Sequence, residues 1–234
     1  MALNLAVAVI LTLQSSCPNQ VRLAFGANPA TTMSVAWQTP FEVHSSSIEY
    51  GQPGQPLSRM PAKRVRYAFE TGAIWEAWLT RLAHDTTYLY RVGDDKSGWS
   101  PTYSFGTAPV SPASFSFTAF GDHGVTTAAA RNVRNVLRED PAFHLLLGDV
   151  SYANGVQPIW DDYLRQIEPL TARIPFMLTL GNHENEDMTI GGKKTEIGYV
   201  SYLARFALPA AEEQYFFDYG NARFIAFNSD SYGD

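Results

Sequence analysis

The sequence predicts an antiparallel β-sandwich followed by an α/β domain, because the period of its apolar residues changes once, near residue 114. Before that point, short alternating stretches recur between turn residues; after it, apolar strands alternate with stretches of helical spacing. Between the two lies APVSPAS, whose two prolines and small residues mark a boundary.

The sandwich is expected over residues 18–108. VRLAF, MSVAWQT, SSIEYG, VRYAFET, WEAWLTRL, TTYLYRVG and PTYSFGT are rich in Val, Tyr, Phe, Trp and Thr, and NPA, GQPGQP and GDDKSG interrupt them. Strands and turns at that spacing are typical of immunoglobulin or fibronectin-type domains. Residues 109–114 form the linker, and the α/β domain is expected over 115–234. Strands at 115–120, 143–147 and 176–180 alternate there with helices at 125–138 and 160–170. A β-α-β-α-β order implies parallel strands joined by right-handed crossovers. The polar stretch 184–197 reads as a mobile loop over the site. A short helix near 199–206 and a hairpin, EQYFFDYG-NARFIAFN, follow it.

Composition is that of a globular protein, with 45% hydrophobic and 17% charged residues. A formal net charge of -6 argues against nucleic acid as a partner, since phosphate backbones call for clustered Lys and Arg. It does not exclude a small anionic ester, because a bound metal can reverse the field locally. With one cysteine, Cys17, no intrachain disulfide can form. The apolar stretch 3–13 is shorter than the roughly 20 residues a membrane helix needs. Followed by small polar residues, it predicts a signal peptide over 1–17, a secretory location and no stable membrane insertion.

Each predicted parallel strand ends in glycine and a ligand-type residue: Gly121-Asp122, Gly148-Asp149 and Gly181-Asn182. The carboxyl ends of parallel strands share one edge, where ligands bind. Two carboxylates and an amide delivered there form an oxygen cluster suited to hard cations. Tyr152, three residues beyond Asp149, adds a phenol that a highly charged cation would deprotonate. His183 can exchange a proton near neutrality. Elsewhere, His144 reads as a hydrogen-bonded core residue, and His123 as lying behind the ligands or at the surface. His44 and His84 read as solvated in sandwich loops. Asp161, Asp162 and Glu168 read as an exposed helix face, and Glu184 and Glu186 as parts of a solvated loop.

Together, Asp122-x-Gly124, GDVSY (148–152) and GNHE (181–184) resemble the first three motif blocks of purple acid phosphatases, within the calcineurin-like metallophosphatases. The sandwich is similar to that family's N-terminal domain, so the resemblance runs from Val21 onward. It implies an acid phosphatase that hydrolyses phosphate monoesters by attack of a metal-bound hydroxide at an Fe(III)–M(II) pair, M being Zn, Mn or Fe. Asp122 and Tyr152 would hold the ferric ion, Asp149 would bridge, Asn182 would hold the divalent ion, and His183 would assist the substrate. The resemblance also allows a homodimer of the full-length protein. Two further blocks of the family, Val-x-x-His and Gly-His-x-His, do not occur in this chain. The metallophosphatase domain is therefore expected to be truncated, and this polypeptide by itself to bind metal weakly and turn over little. Rival readings are an iron-free dinuclear phosphodiesterase and a non-catalytic binding fragment.

Overall fold

The structure is a computed structural model that describes residues 18–210 and 213–229. The expected signal segment, Cys17 included, lies outside the described residues. Among those described, no helix is long and apolar enough to cross a membrane.

Nine strands build the sandwich: β1 (Asn19–Phe25), β2 (Met33–Thr39), β3 (Ser47–Gly51), β4 (Ser58–Pro61), β5 (Lys63–Val65), β6 (Ala73–Leu79), β7 (Thr87–Asp94), β8 (Gly98–Trp99) and β9 (Tyr103–Gly106). One sheet has the order β1-β2-β6-β5; the other runs β4-β3-β7-β8, with β9 also on β7. All pairs are antiparallel. VRYAFET is strand only as far as Val65, and its expected continuation is irregular. Strand β2 is buried at every position, polar Ser34 and Gln38 included. Both its faces must therefore be covered, one by the second sheet and the other by the α/β part, where Ser34 Oγ donates to the Ala207 carbonyl at 2.5 Å.

The α/β part consists of β10 (Phe117–Phe120), α1 (Thr127–Glu139), β11 (Phe143–Leu147), α2 (Gln157–Thr171) and β12 (Phe176–Thr179). The three strands are parallel and adjacent, in the order β10-β11-β12, as the sequence implies. Helix α1 begins where Thr126 caps it by accepting from Ala129 N–H at 3.0 Å, and buries Ala129, Val133 and Val136. Where a mobile loop was expected, residues 184–197 instead contain a hairpin, β13 (Glu186–Ile190) with β14 (Lys193–Gly198). Its turn is Gly191-Gly192, with φ of 58° and 81°, the left-handed conformations that a two-residue hairpin turn requires. Helix α3 (Val200–Arg205) and the hairpin β15 (Tyr215–Tyr219) and β16 (Ala222–Ala226) complete the described chain. That last hairpin packs on the parallel sheet around Phe143, whose ring lies 5.0–5.8 Å from those of Phe25, Phe217, Tyr219 and Phe224.

A buried polar network joins sandwich to α/β part. A bulge between Asn19 and Arg22 turns both Gln20 and Arg22 toward α2. Gln20 N–H donates to Glu168 at 3.0 Å, and its side-chain amide to Asp161 at 3.3 Å. Arg205, with no exposed side-chain surface, pairs with Asp161 at 3.1 Å, and its carbonyl accepts from Arg22. Burial, and then the Arg205 charge, push the Arg22 guanidinium down to about 9. Asp161 and Glu168 are thus not the exposed face the helical pattern suggested; only Asp162 is. Their partners, Gln20, Arg22 and Arg205, lie far away in sequence.

Two outcomes follow for stability. Asp161→Ala leaves a buried cation uncompensated, and urea unfolding should show a loss of about 3–5 kcal/mol. His144, fully buried between Phe120 and Phe176, is lowered to about 3 by burial and then by His123. The native state therefore binds fewer protons than the unfolded chain between pH ~6.5 and ~3, and stability should fall as pH falls through that window. His144→Gln should flatten that part of the profile.

Candidate metal centre

The site is built at the carboxyl ends of β10, β11 and β12. Pairing continues past the strands: Asp122, His123 and Gly124 donate N–H to the carbonyls of Gly148, Asp149 and Val150 at 3.2, 3.0 and 2.9 Å. This extension holds the two loops in fixed register. Asp122, Asp149 and Tyr152 all sit in the left-handed region, at φ 53°, 51° and 55°. Non-glycine residues adopt it at a cost and persist there where surroundings over-determine them. At Gly181 a side chain is excluded by space, because a Cβ would collide with Asp149 Oδ1 and the Asp149 nitrogen.

The phenol of Tyr152 donates to Asp122 Oδ1 at 2.8 Å and lies 3.4 Å from Asp149 Oδ2. Asp149 Oδ1 accepts from the His183 backbone N–H at 3.2 Å. Asn182 joins Asp122 and Asp149 in lining one cleft of about 330 Å³, with Ser229 on its far wall. All five residues that the motifs single out are therefore neighbours. Desolvation, then the hydrogen bond to Asp122 and the Asp149 charge, hold the Tyr152 phenol well above its usual value. A phenol kept protonated between two carboxylates yields that proton to a strong positive charge, so these three oxygens fit one hard cation. Among the described residues, no group of three or more His, Cys, Asp or Glu side chains is placed to hold a metal ion.

The His183 ring packs against that of Tyr152 at a tilt of 47°, with ring centroids 4.5 Å apart. Its Nδ1 is 2.8 Å from Asn154 Oδ1. Because the Asn154 amide nitrogen is committed to the Tyr152 carbonyl at 3.1 Å, its oxygen faces the imidazole and Nδ1 carries the proton. Nε2 is then left for a ligand. His123 is buried and bonded to Tyr163 and the Ala129 carbonyl, and His144 to Thr118, so neither faces the cleft. His44 and His84 are exposed in sandwich loops, as read.

Two residues that hold the site together escaped the sequence reading. Asn154 is one. The other is Glu184, which is buried and accepts N–H bonds from Val150, Gly181 and Asp149 at 2.8, 2.8 and 3.0 Å. Burial, partly opposed by those donors, pushes its carboxyl up to about 7. A Glu three residues after Gly181 at the start of a turn is placed to reach back to backbone N–H groups, as in a capping box, and that spacing was the available signal. Glu186 is buried as well, accepting from the Trp160 indole at 2.7 Å.

Residues 115–232 match the model of the calcineurin-like phosphoesterases. The chain belongs to that family. Residues 18–107 match the N-terminal domain of purple acid phosphatases, and the resemblance read from the motifs is borne out. Purple acid phosphatase 22 of Arabidopsis thaliana is 34% identical over 201 residues, covering 84% of this chain and 44% of that protein. Purple acid phosphatase 21 of the same plant is 31% identical, over 83% and 43%. The chain thus spans less than half the length of these curated relatives. The fold recurs in the structure of purple acid phosphatase PPD1 from yellow lupin seeds, with a TM-score of 0.78 and 23% identity, covering 90% of this chain and 44% of that one.

Within this phosphoesterase scaffold, Glu184→Ala removes the acceptor that three backbone donors share. Denaturant unfolding should show a loss of about 2–3 kcal/mol, and the amide resonances of Asp149, Val150 and Gly181 should shift.

Proposed function

We propose that the chain carries the Asp122–Asp149–Tyr152–Asn182 side of a phosphomonoesterase centre that uses ferric iron and a divalent metal. The observation that supports this most directly is the convergence of the Tyr152 phenol on Asp122 and Asp149, at 2.8 and 3.4 Å. Asp122 and Tyr152 would hold the ferric ion, Asp149 both ions, and Asn182 the divalent one. When bound, the ions supply Lewis acidity and offset the charge of the phosphoryl group.

The chain's own side chains then have separate tasks. Glu184 fixes the spacing of the two strand ends from which Asp149 and Asn182 project. Asn154 holds the His183 ring with Nε2 directed away from the Nδ1 contact. Protonated there, His183 can donate to the ester oxygen that leaves; unprotonated, it can accept the proton back. The substrate is a small phosphate ester, and the acidic balance of the chain goes against nucleic acid. A secretory location fits the apolar stretch at 3–13.

Ferric iron titrated into the chain should raise a visible charge-transfer band that Tyr152→Phe lacks. Iron binding without such a band, or with the band retained in Tyr152→Phe, overturns the ferric assignment and favours an iron-free phosphodiesterase. In the metal-loaded chain 4-nitrophenyl phosphate should bind tighter than its bis-ester; the reverse order overturns the monoester part.

A further inference from the structure

Beside the polar cleft lies a second and larger hollow, of about 690 Å³, that shares Asp122 with it and is lined by Tyr152. It is the groove between the first turns of α1 and α2. Ala128 and Asn132, four apart, share one face of α1, while Ile159 and Asp162, three apart, share one face of α2. Val125, 40% exposed, stands at its mouth. Its volume is in the range of small-molecule sites, and its lining has their character, apolar surface with a few polar groups.

We infer that this groove receives the alcohol portion of the phosphoester and selects uncharged, apolar or aromatic alcohols over anionic ones. The inference rests on the phosphoesterase reading and adds a substrate class to it. Continuity carries the first half, since Asp122 walls both hollows and Tyr152, a wall of the groove, bonds to Asp122 and Asp149 of the cleft, so an ester with its phosphoryl group in the polar cleft has the groove next to it for its other arm. Chemistry carries the second. Val125, Ala128 and Ile159 offer carbon surface; Asn132 can bond a hydroxyl or ether oxygen. The charged lining consists of Asp122 and Asp162, and no Lys or Arg is among the described residues that form the walls. Arg165 pairs with Asp162 at 3.1 Å, but both are more than half exposed and the pair is screened by water. With Asp122 taken up by a metal, a second phosphate or a carboxylate on the alcohol would therefore meet Asp162 and find no cationic partner in the walls.

The test is amide-resolved NMR titration of the whole chain, with zinc present, using inorganic phosphate, phenyl phosphate and pyrophosphate. Phenyl phosphate should move the resonances of Val125, Ala128, Asn132 and Ile159 and bind at least about threefold tighter than phosphate. Pyrophosphate should show no such gain. Ala128→Tyr, which fills the groove from an exposed helix position, should bring phenyl phosphate down to the level of phosphate, and Val125→Ser should do so in part. Still resonances at those four positions, an equal gain for pyrophosphate, or full retention of the gain in Ala128→Tyr overturns the inference. The underlying reading fails separately, if phosphate leaves Asp149, Asn182 and His183 unmoved while phenyl phosphate still shifts the groove.

Discussion

The Glu184 carboxylate is the point on which the site geometry depends. It is buried and takes its hydrogen bonds from backbone N–H groups at the ends of two adjacent strands, so it ties the loop after β11 to the loop after β12. Asp149 and Asn182 project from those loops, and Tyr152 follows three residues later. Three left-handed backbone positions at Asp122, Asp149 and Tyr152 are tolerable because this tie, the glycine contact at Gly181 and the continued pairing of residues 122–124 leave the chain no relaxed alternative. Rigidity there is what the proposed centre would need, since short oxygen side chains must be aimed before a cation arrives.

A second set of buried charges does different work. Arg22, Arg205, Asp161 and Glu168 lie between the sandwich and α2, where desolvation makes each one expensive alone. Their value is orientational, because each finds a partner only if β1 lies along α2 in one way. With Phe25 of β1 entering the aromatic cluster around Phe143, the sandwich is packed onto the α/β part by both polar and apolar contacts.

Much of this was legible in the residues. Gly-Asp, Gly-Asp and Gly-Asn at three strand ends announced the sheet edge and the polar residues gathered there, because glycine followed by a polar residue is how a strand stops and turns. The spacing of Tyr152 from Asp149 was legible for the same local reason. What could not be read depended on distant partners. Glu184 and Asp161 look solvated in sequence, and are buried because backbone donors 34 and 35 residues away, and an arginine 44 residues away, complete them. The β13–β14 hairpin was missed because its strands, EDMTI and KKTEIG, carry only Met188, Ile190 and Ile197 as apolar residues among charged ones; its Gly-Gly turn was the clearest sign of it.

That turn has a practical side. Nothing lies within 4 Å of where side chains on Gly191 and Gly192 would stand, so the tip of the hairpin projects freely. Asp187 at its base, paired with Lys194, shares a hollow with Asn154, the residue that holds His183. A short epitope or dye-binding insert spliced between the two glycines would therefore sit clear of every packed surface, yet ride on a lever whose foot adjoins the imidazole, turning the tip into a reporter for events at the cleft.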